Sequence, residues 1–97
     1  MLNQEFLFGD DWVVEAIYDT WKDGLFVEPY IGSWSLSTAK EMCKAIEEHM
    51  HKVKRNYIIV HTSTPKLVKL MGKVSGAEVS KVPETIQGYE IYVLEKD

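Results

Sequence analysis

The span from Leu25 to Val60 leaves this chain few folds to choose from. It opens on a short apolar run, Leu25-Phe26-Val27, which reads as a strand that stops at Pro29, because proline has no amide to give to a ladder. Small polar residues follow in a loop: Gly32, Ser33, Ser35, Ser37 and Thr38. Such residues let backbone approach another group closely. Thr38-Ala39-Lys40-Glu41 has the form of a capping box and predicts a helix start. Behind it Met42, Ala45, Ile46, Met50 and Val53 recur at helical spacing and supply one face to bury. Asn56 marks a stop, and Tyr57-Ile58-Ile59-Val60 is a continuous apolar run, as in a strand covered on both faces. Strand, helix and strand at this spacing predict a βαβ crossover, with its two strands parallel, adjacent and right-handed.

The flanks add strands. Phe6-Leu7-Phe8 reads as a brief strand ended by Gly9-Asp10-Asp11. The segment from Trp12 to Trp21 has two readings. As a strand, it lines Trp12, Val14, Ala16, Tyr18 and Thr20 on one face; as a helix, it gathers Val13, Val14, Ile17, Tyr18 and Trp21. The branched and aromatic composition, with Lys22-Asp23-Gly24 as a turn into Leu25, favours the strand. Thr64-Pro65 starts a second helix with proline at its first position, and Leu67, Val68, Leu70, Met71 and Val74 face inward from it. Ser75-Gly76 ends it. Ala77 to Val82 reads as a strand, Pro83 to Gly88 as a turn, and Tyr89 to Leu94 as the last strand. The fold class is therefore α/β, in the sense of an α+β mixed sheet, with element order β-β-α-β-α-β-β around the central crossover.

With 97 residues, the chain makes one domain, residues 1–97. A net charge of −4 argues against a nucleic-acid backbone as partner, since phosphate binding needs clustered lysine and arginine. The one basic cluster, His51-Lys52-Val53-Lys54-Arg55, sits where it complements a helix dipole. No apolar run is long enough for a membrane span, and no signal peptide is visible. Cys43 is the single cysteine, which excludes an internal disulfide and suits the cytoplasm. His49 and His51 stand two apart on a helix and cannot share a metal, and no metal site is expected.

With this order in place, the residues from Trp12 to Lys96 resemble a small member of the GNAT superfamily of N-acetyltransferases. FVEPYIG resembles the strand that leads into the family's cofactor loop, TAKEMCKAIEEHM the helix behind it, and YIIVHTSTPKLVKLMGKVSGAEV the next strand, short helix and closing segment. GYEIYVLEK resembles the final strand. The run Trp34-Ser35-Leu36-Ser37-Thr38 resembles small GNAT-like proteins of tailed phages. The family's usual first strand and two helices have no counterpart, which makes this a minimal version.

The resemblance implies acetyl-CoA as cofactor, with Gly32, Ser33, Ser35, Ser37 and Thr38 at the place of the diphosphate loop, where a helix N-terminus favours anions. It implies Glu28, at the end of its strand, or His61, where the family's strands part, as the base. The sequence departs from the family in both respects that matter. Of the loop glycines only Gly32 remains, with Trp34 and Leu36 beside it, and Met71 and Gly72 stand near the place of the tyrosine general acid. Trp34 and Tyr30, read as loop aromatics, suit a protein interface. The leading expectation is thus a degenerate GNAT-like domain, phage-encoded and resident in host cytoplasm, that binds a protein or a second copy of itself. An active acetyl-CoA-dependent N-acetyltransferase is the alternative, and a structural subunit of a phage particle a third.

Overall fold

The computed structural model describes residues 4–17 and 23–96. Its elements are β1 (Gln4–Phe8), β2 (Trp12–Ile17), β3 (Gly24–Ile31), α1 (Leu36–Lys52), β4 (Tyr57–His61), α2 (Pro65–Ser75), β5 (Glu78–Ile86) and β6 (Tyr89–Glu95). The six strands form one sheet in the order β1-β2-β3-β4-β6-β5. The β3–β4 pair is parallel, with Leu25 opposite Ile58 and Val27 opposite Val60, and every other neighbouring pair is antiparallel. The expected mixed sheet and central crossover are both present. The brief strand at Phe6-Leu7-Phe8 joins the sheet as β1 and pairs with β2, which puts one more strand at the front of the expected order.

Trp12 to Ile17 is a strand, and Trp12, Val14 and Ala16 are buried on one face of it. Tyr18, Thr20, Trp21 and Lys22, which belonged to the same expectation, lie outside the described residues. Both helices pack on this face. Trp12, Val14, Ala16, Leu25, Val27, Val60 and Leu94 of the strands meet Met42, Cys43, Ile46, Leu67, Val68 and Met71 of the helices in one core. Phe26, Ile59 and Ile91 are buried on the opposite face as a second, smaller cluster. The continuous apolar run of β4 is explained by this two-sided burial.

Three boundaries differ from the sequence expectation. The strand read as ending at Pro29 continues to Ile31, with Pro29 opposite Val14. The ladder with β4 has already stopped at Val27 and Val60, so β3 keeps β2 as its only neighbour there and the missing amide is tolerated. The turn expected over Pro83 to Gly88 shrinks to Gln87-Gly88, because β5 runs on through a register shift between Val82 and Thr85. A bulge on an edge strand is one of the few sheet positions that accept proline, and Pro83 occupies it. Gly88 takes a φ of 81°, the left-handed value that a tight hairpin requires. Third, α1 begins at Leu36, and its cap is Ser35 rather than Thr38. The Thr38 amide donates to Ser35 Oγ at 3.1 Å, so Thr38 is the capped residue and not the capping one.

Candidate functional site: a cleft where two parallel strands part

Beyond Val27 and Val60, β3 and β4 no longer share backbone bonds. The next residues on each strand are Glu28 and His61, and their side chains bridge the gap. His61 Nδ1 lies 2.6 Å from Glu28 Oε1. The second carboxylate oxygen, Oε2, accepts from the Tyr30 hydroxyl at 3.1 Å. Alternation along β3 puts Phe26, Glu28 and Tyr30 on one face, which is why the three side chains meet neighbours from β4 and β6. His61 is only 4% exposed. Its ring lies against Phe26 and Tyr89, at centroid distances of 5.6 and 5.2 Å.

This cluster forms one wall of an open cleft of about 360 Å³. Pro29, Ile31 and Trp34 line it from β3 and the following loop, and Thr62 to Thr64 and Leu67 line it from β4 and the start of α2. Gln87 and Tyr89 complete it from the β5–β6 hairpin. Tyr30, Trp34 and Tyr89 are 57%, 52% and 44% exposed, large aromatic surface left in water. Tyr30 belongs to β3 rather than to a loop, whereas Trp34 is in the loop as expected. The Tyr30 hydroxyl is held above its ordinary phenol range, first by desolvation, then by its bond to Glu28 and by the charges of Glu28 and Glu15. Glu15 is the cross-strand neighbour of Glu28, and the Gln4 amide contacts it.

The five residues assigned to a diphosphate loop occupy a different place. None of Gly32, Ser33, Ser35, Ser37 or Thr38 lines the cleft, although Trp34 among them does. The Gly32 amide donates to the Asp11 carbonyl at 2.8 Å. A Cβ on Gly32 would lie 2.3 Å from Asp11 Oδ1, so a larger residue there would have to displace the Asp11 side chain. Ser35 Oγ accepts from the Thr38 amide, donates to Thr38 Oγ1 at 2.8 Å and lies 3.3 Å from Ser37 Oγ. The Ser35 carbonyl in turn accepts from the Ala39 amide. These groups are engaged in starting α1 and joining it to the segment before β2. The Gly32 amide and the Ser35 hydroxyl are therefore committed within the chain, whereas a coenzyme diphosphate is held by amides that point outward.

Cys43 is buried on α1, and its thiol is pushed up to about 11, by desolvation first and then by the charge of Glu47. A thiol held protonated in this way is a packing group and a poor nucleophile. His49 is buried and lies 3.6 Å from Glu5, while His51 is exposed, so the two diverge as expected. Among the described residues no cluster of histidine, cysteine or carboxylate side chains could hold a metal ion. No described helix is long and apolar enough to cross a membrane.

The sequence offered Glu28 and His61 as alternatives; the structure brings the two side chains together and adds Tyr30, which sequence reasoning missed. The signal was present: with β3 extended past Pro29, residues 26, 28 and 30 fall on one side by simple alternation.

No protein-family model matches the chain, and no curated protein matches it. Among solved structures, the chain resembles a protein of Sphaerobacter thermophilus DSM 20745 that is provisionally described as an acetyltransferase. The two share 10% identity with a TM-score of 0.49. The match covers 89% of this chain and 58% of the other, so this chain spans little more than half of that protein. The likeness is too distant to carry a residue's role from one chain to the other.

Proposed function

We propose that this domain is an acetyltransferase-like binding module that grips a partner protein through the β3–β4 cleft and does not transfer an acetyl group. The observation that carries this is the aromatic-lined cleft beside a partly engaged loop. The Gly32 amide serves Asp11 and the Ser35 hydroxyl serves Thr38, while the cleft beside them keeps an open, aromatic-lined mouth. Exposed tyrosine and tryptophan around a polar centre are the composition of an interface anchor. A titration of the folded chain with acetyl-CoA, read by thermal denaturation, tests the proposal. The expected result is no saturable rise in melting temperature. A ligand at ~100 times its dissociation constant would add ~2.7 kcal/mol, so a shift of that order overturns it.

One observation favours a second reading, an active N-acetyltransferase. Glu28 is fixed by both His61 and Tyr30, and a carboxylate fixed at a cleft is placed to take a proton from an incoming ammonium group. Acetylation of small amines or peptides by the purified chain, lost in Glu28→Gln, would establish that reading in place of the first.

A further inference from the structure

We propose that the cleft is a binding site for a methylated ammonium group, with Tyr30, Trp34 and Tyr89 supplying aromatic surface and Glu28 the opposing charge. This rests on the binding-module proposal and names what the module holds. Aromatic side chains attract a cation through the negative faces of their rings, and the effect grows as the cation is desolvated. Three half-exposed aromatics around one cleft provide such surface.

The titratable groups in the cleft are Glu28, the His61 ring that pairs with it, and the Tyr30 and Tyr89 hydroxyls. Among the described residues no lysine or arginine lines the cleft, and Glu28 does. The Tyr30 hydroxyl beside it is raised, first by desolvation, then by its bond to Glu28 and by the charges of Glu28 and Glu15. The start of α2 also opens on the cleft, and a helix N-terminus favours an anion. Here two amides are engaged and a third is missing. Pro65 has no amide hydrogen, the Leu67 amide donates to the Thr64 carbonyl, and the Thr64 amide donates to Thr62 Oγ1.

The choice of a methylated ammonium follows from the state of Glu28. Each of its oxygens already accepts one hydrogen bond, from the His61 side and from Tyr30. A primary ammonium carries three donors and loses water unless acceptors replace it. A methylated ammonium needs charge and apolar surface, and Glu28 with the rings of Tyr30, Trp34 and Tyr89 offers both, beside the polar side chains of Thr62, Ser63, Thr64 and Gln87.

The test is a nuclear magnetic resonance titration of the intact chain with tetramethylammonium chloride, against potassium chloride at equal ionic strength. Methylammonium and the uncharged, similarly shaped tert-butanol run in parallel. The expected result is a saturable shift of the Trp34 indole signal with tetramethylammonium, an affinity about tenfold weaker for tert-butanol, and weaker binding of methylammonium. Glu28→Gln should weaken tetramethylammonium by a similar factor, and Trp34→Ala should remove binding while the buried Trp12 indole signal reports an intact fold. A trimethyllysine peptide and free choline then separate a protein side chain from a small molecule as the source. Equal binding of tert-butanol, tighter binding of methylammonium, or no shift at all overturns the site. Loss of the cation site with acetyl-CoA still inert leaves the binding-module proposal standing; a stabilising acetyl-CoA titration with the cation site intact does the reverse.

Discussion

His61 illustrates how one residue can serve the sheet and the cleft together. It sits at the C-terminal end of β4, opposite Ile91, with its ring between Phe26 and Tyr89 and its Nδ1 on Glu28. Truncating it removes a part-buried hydrogen bond to a charged group as well as ring contacts. His61→Ala should therefore cost about 2 kcal/mol in urea unfolding, and a loss below ~0.5 kcal/mol would mean that the pair contributes little. Cys43 makes a different residue-scale prediction. Its folded thiol titrates near 11, above the unfolded value of about 8.5. Its contribution to stability is whole below the unfolded value and is lost as pH rises through the folded one. Between about pH 9 and 11 the wild type should lose stability faster than Cys43→Ala, and the difference isolates the thiol from Tyr30 and Tyr92, whose hydroxyls are also raised. At neutral pH the native thiol should resist alkylation that the urea-unfolded chain undergoes.

At the scale of elements, two capping signals three residues apart compete for the start of α1, and the earlier one holds it. Both Ser35-Leu36-Ser37-Thr38 and Thr38-Ala39-Lys40-Glu41 offer a hydroxyl three positions ahead of a partner. The second also has the glutamate of a capping box, and so it looked stronger from sequence. The loop settles the matter, because β3 extends to Ile31 and only four residues remain before the helix. Ser35→Ala should lower stability by about 1 kcal/mol. Thr38→Val should stay within ~0.5 kcal/mol, since the Thr38 hydroxyl is not the cap. A reversed order in thermal unfolding would restore the capping box. The two proline boundaries failed for a related reason. A proline excludes a strand only where its amide faces a neighbour, and neighbours are a property of the sheet. Pro29 borders the parted side of β3 and Pro83 lies in an edge bulge. The alternation in β2, the paired runs of the crossover and the proline-led start of α2 needed no such knowledge, and they were legible. Within the candidate site, Glu28 and His61 were legible from their places at strand ends, whereas Tyr30 was hidden behind the misplaced end of β3.

At the scale of the whole molecule, the unusual feature is a sheet with buried residues on both faces and described helices on one. A half-covered sheet would show strict alternation, with outward residues indifferent to truncation. This one does not, because Phe26, Ile59 and Ile91 are nearly inaccessible on the side away from α1 and α2. Adjacent residues of β4 separate the two cores cleanly. Val60 points into the helix-covered core and Ile59 into the second cluster. If the second cluster is a true core, Ile59→Ala should cost about 2–5 kcal/mol, and Val60→Ala should be of comparable size after allowance for its smaller side chain. Phe26, Glu28 and Tyr30 lie on that same face, so the cluster also forms the floor on which the cleft is built. Ile59→Ala should then disturb the cleft more than Val60→Ala does, seen as a larger change at the Trp34 indole signal in the folded protein. Near-neutral unfolding data for Ile59→Ala would reduce the second cluster to a surface patch and leave the cleft without rigid support.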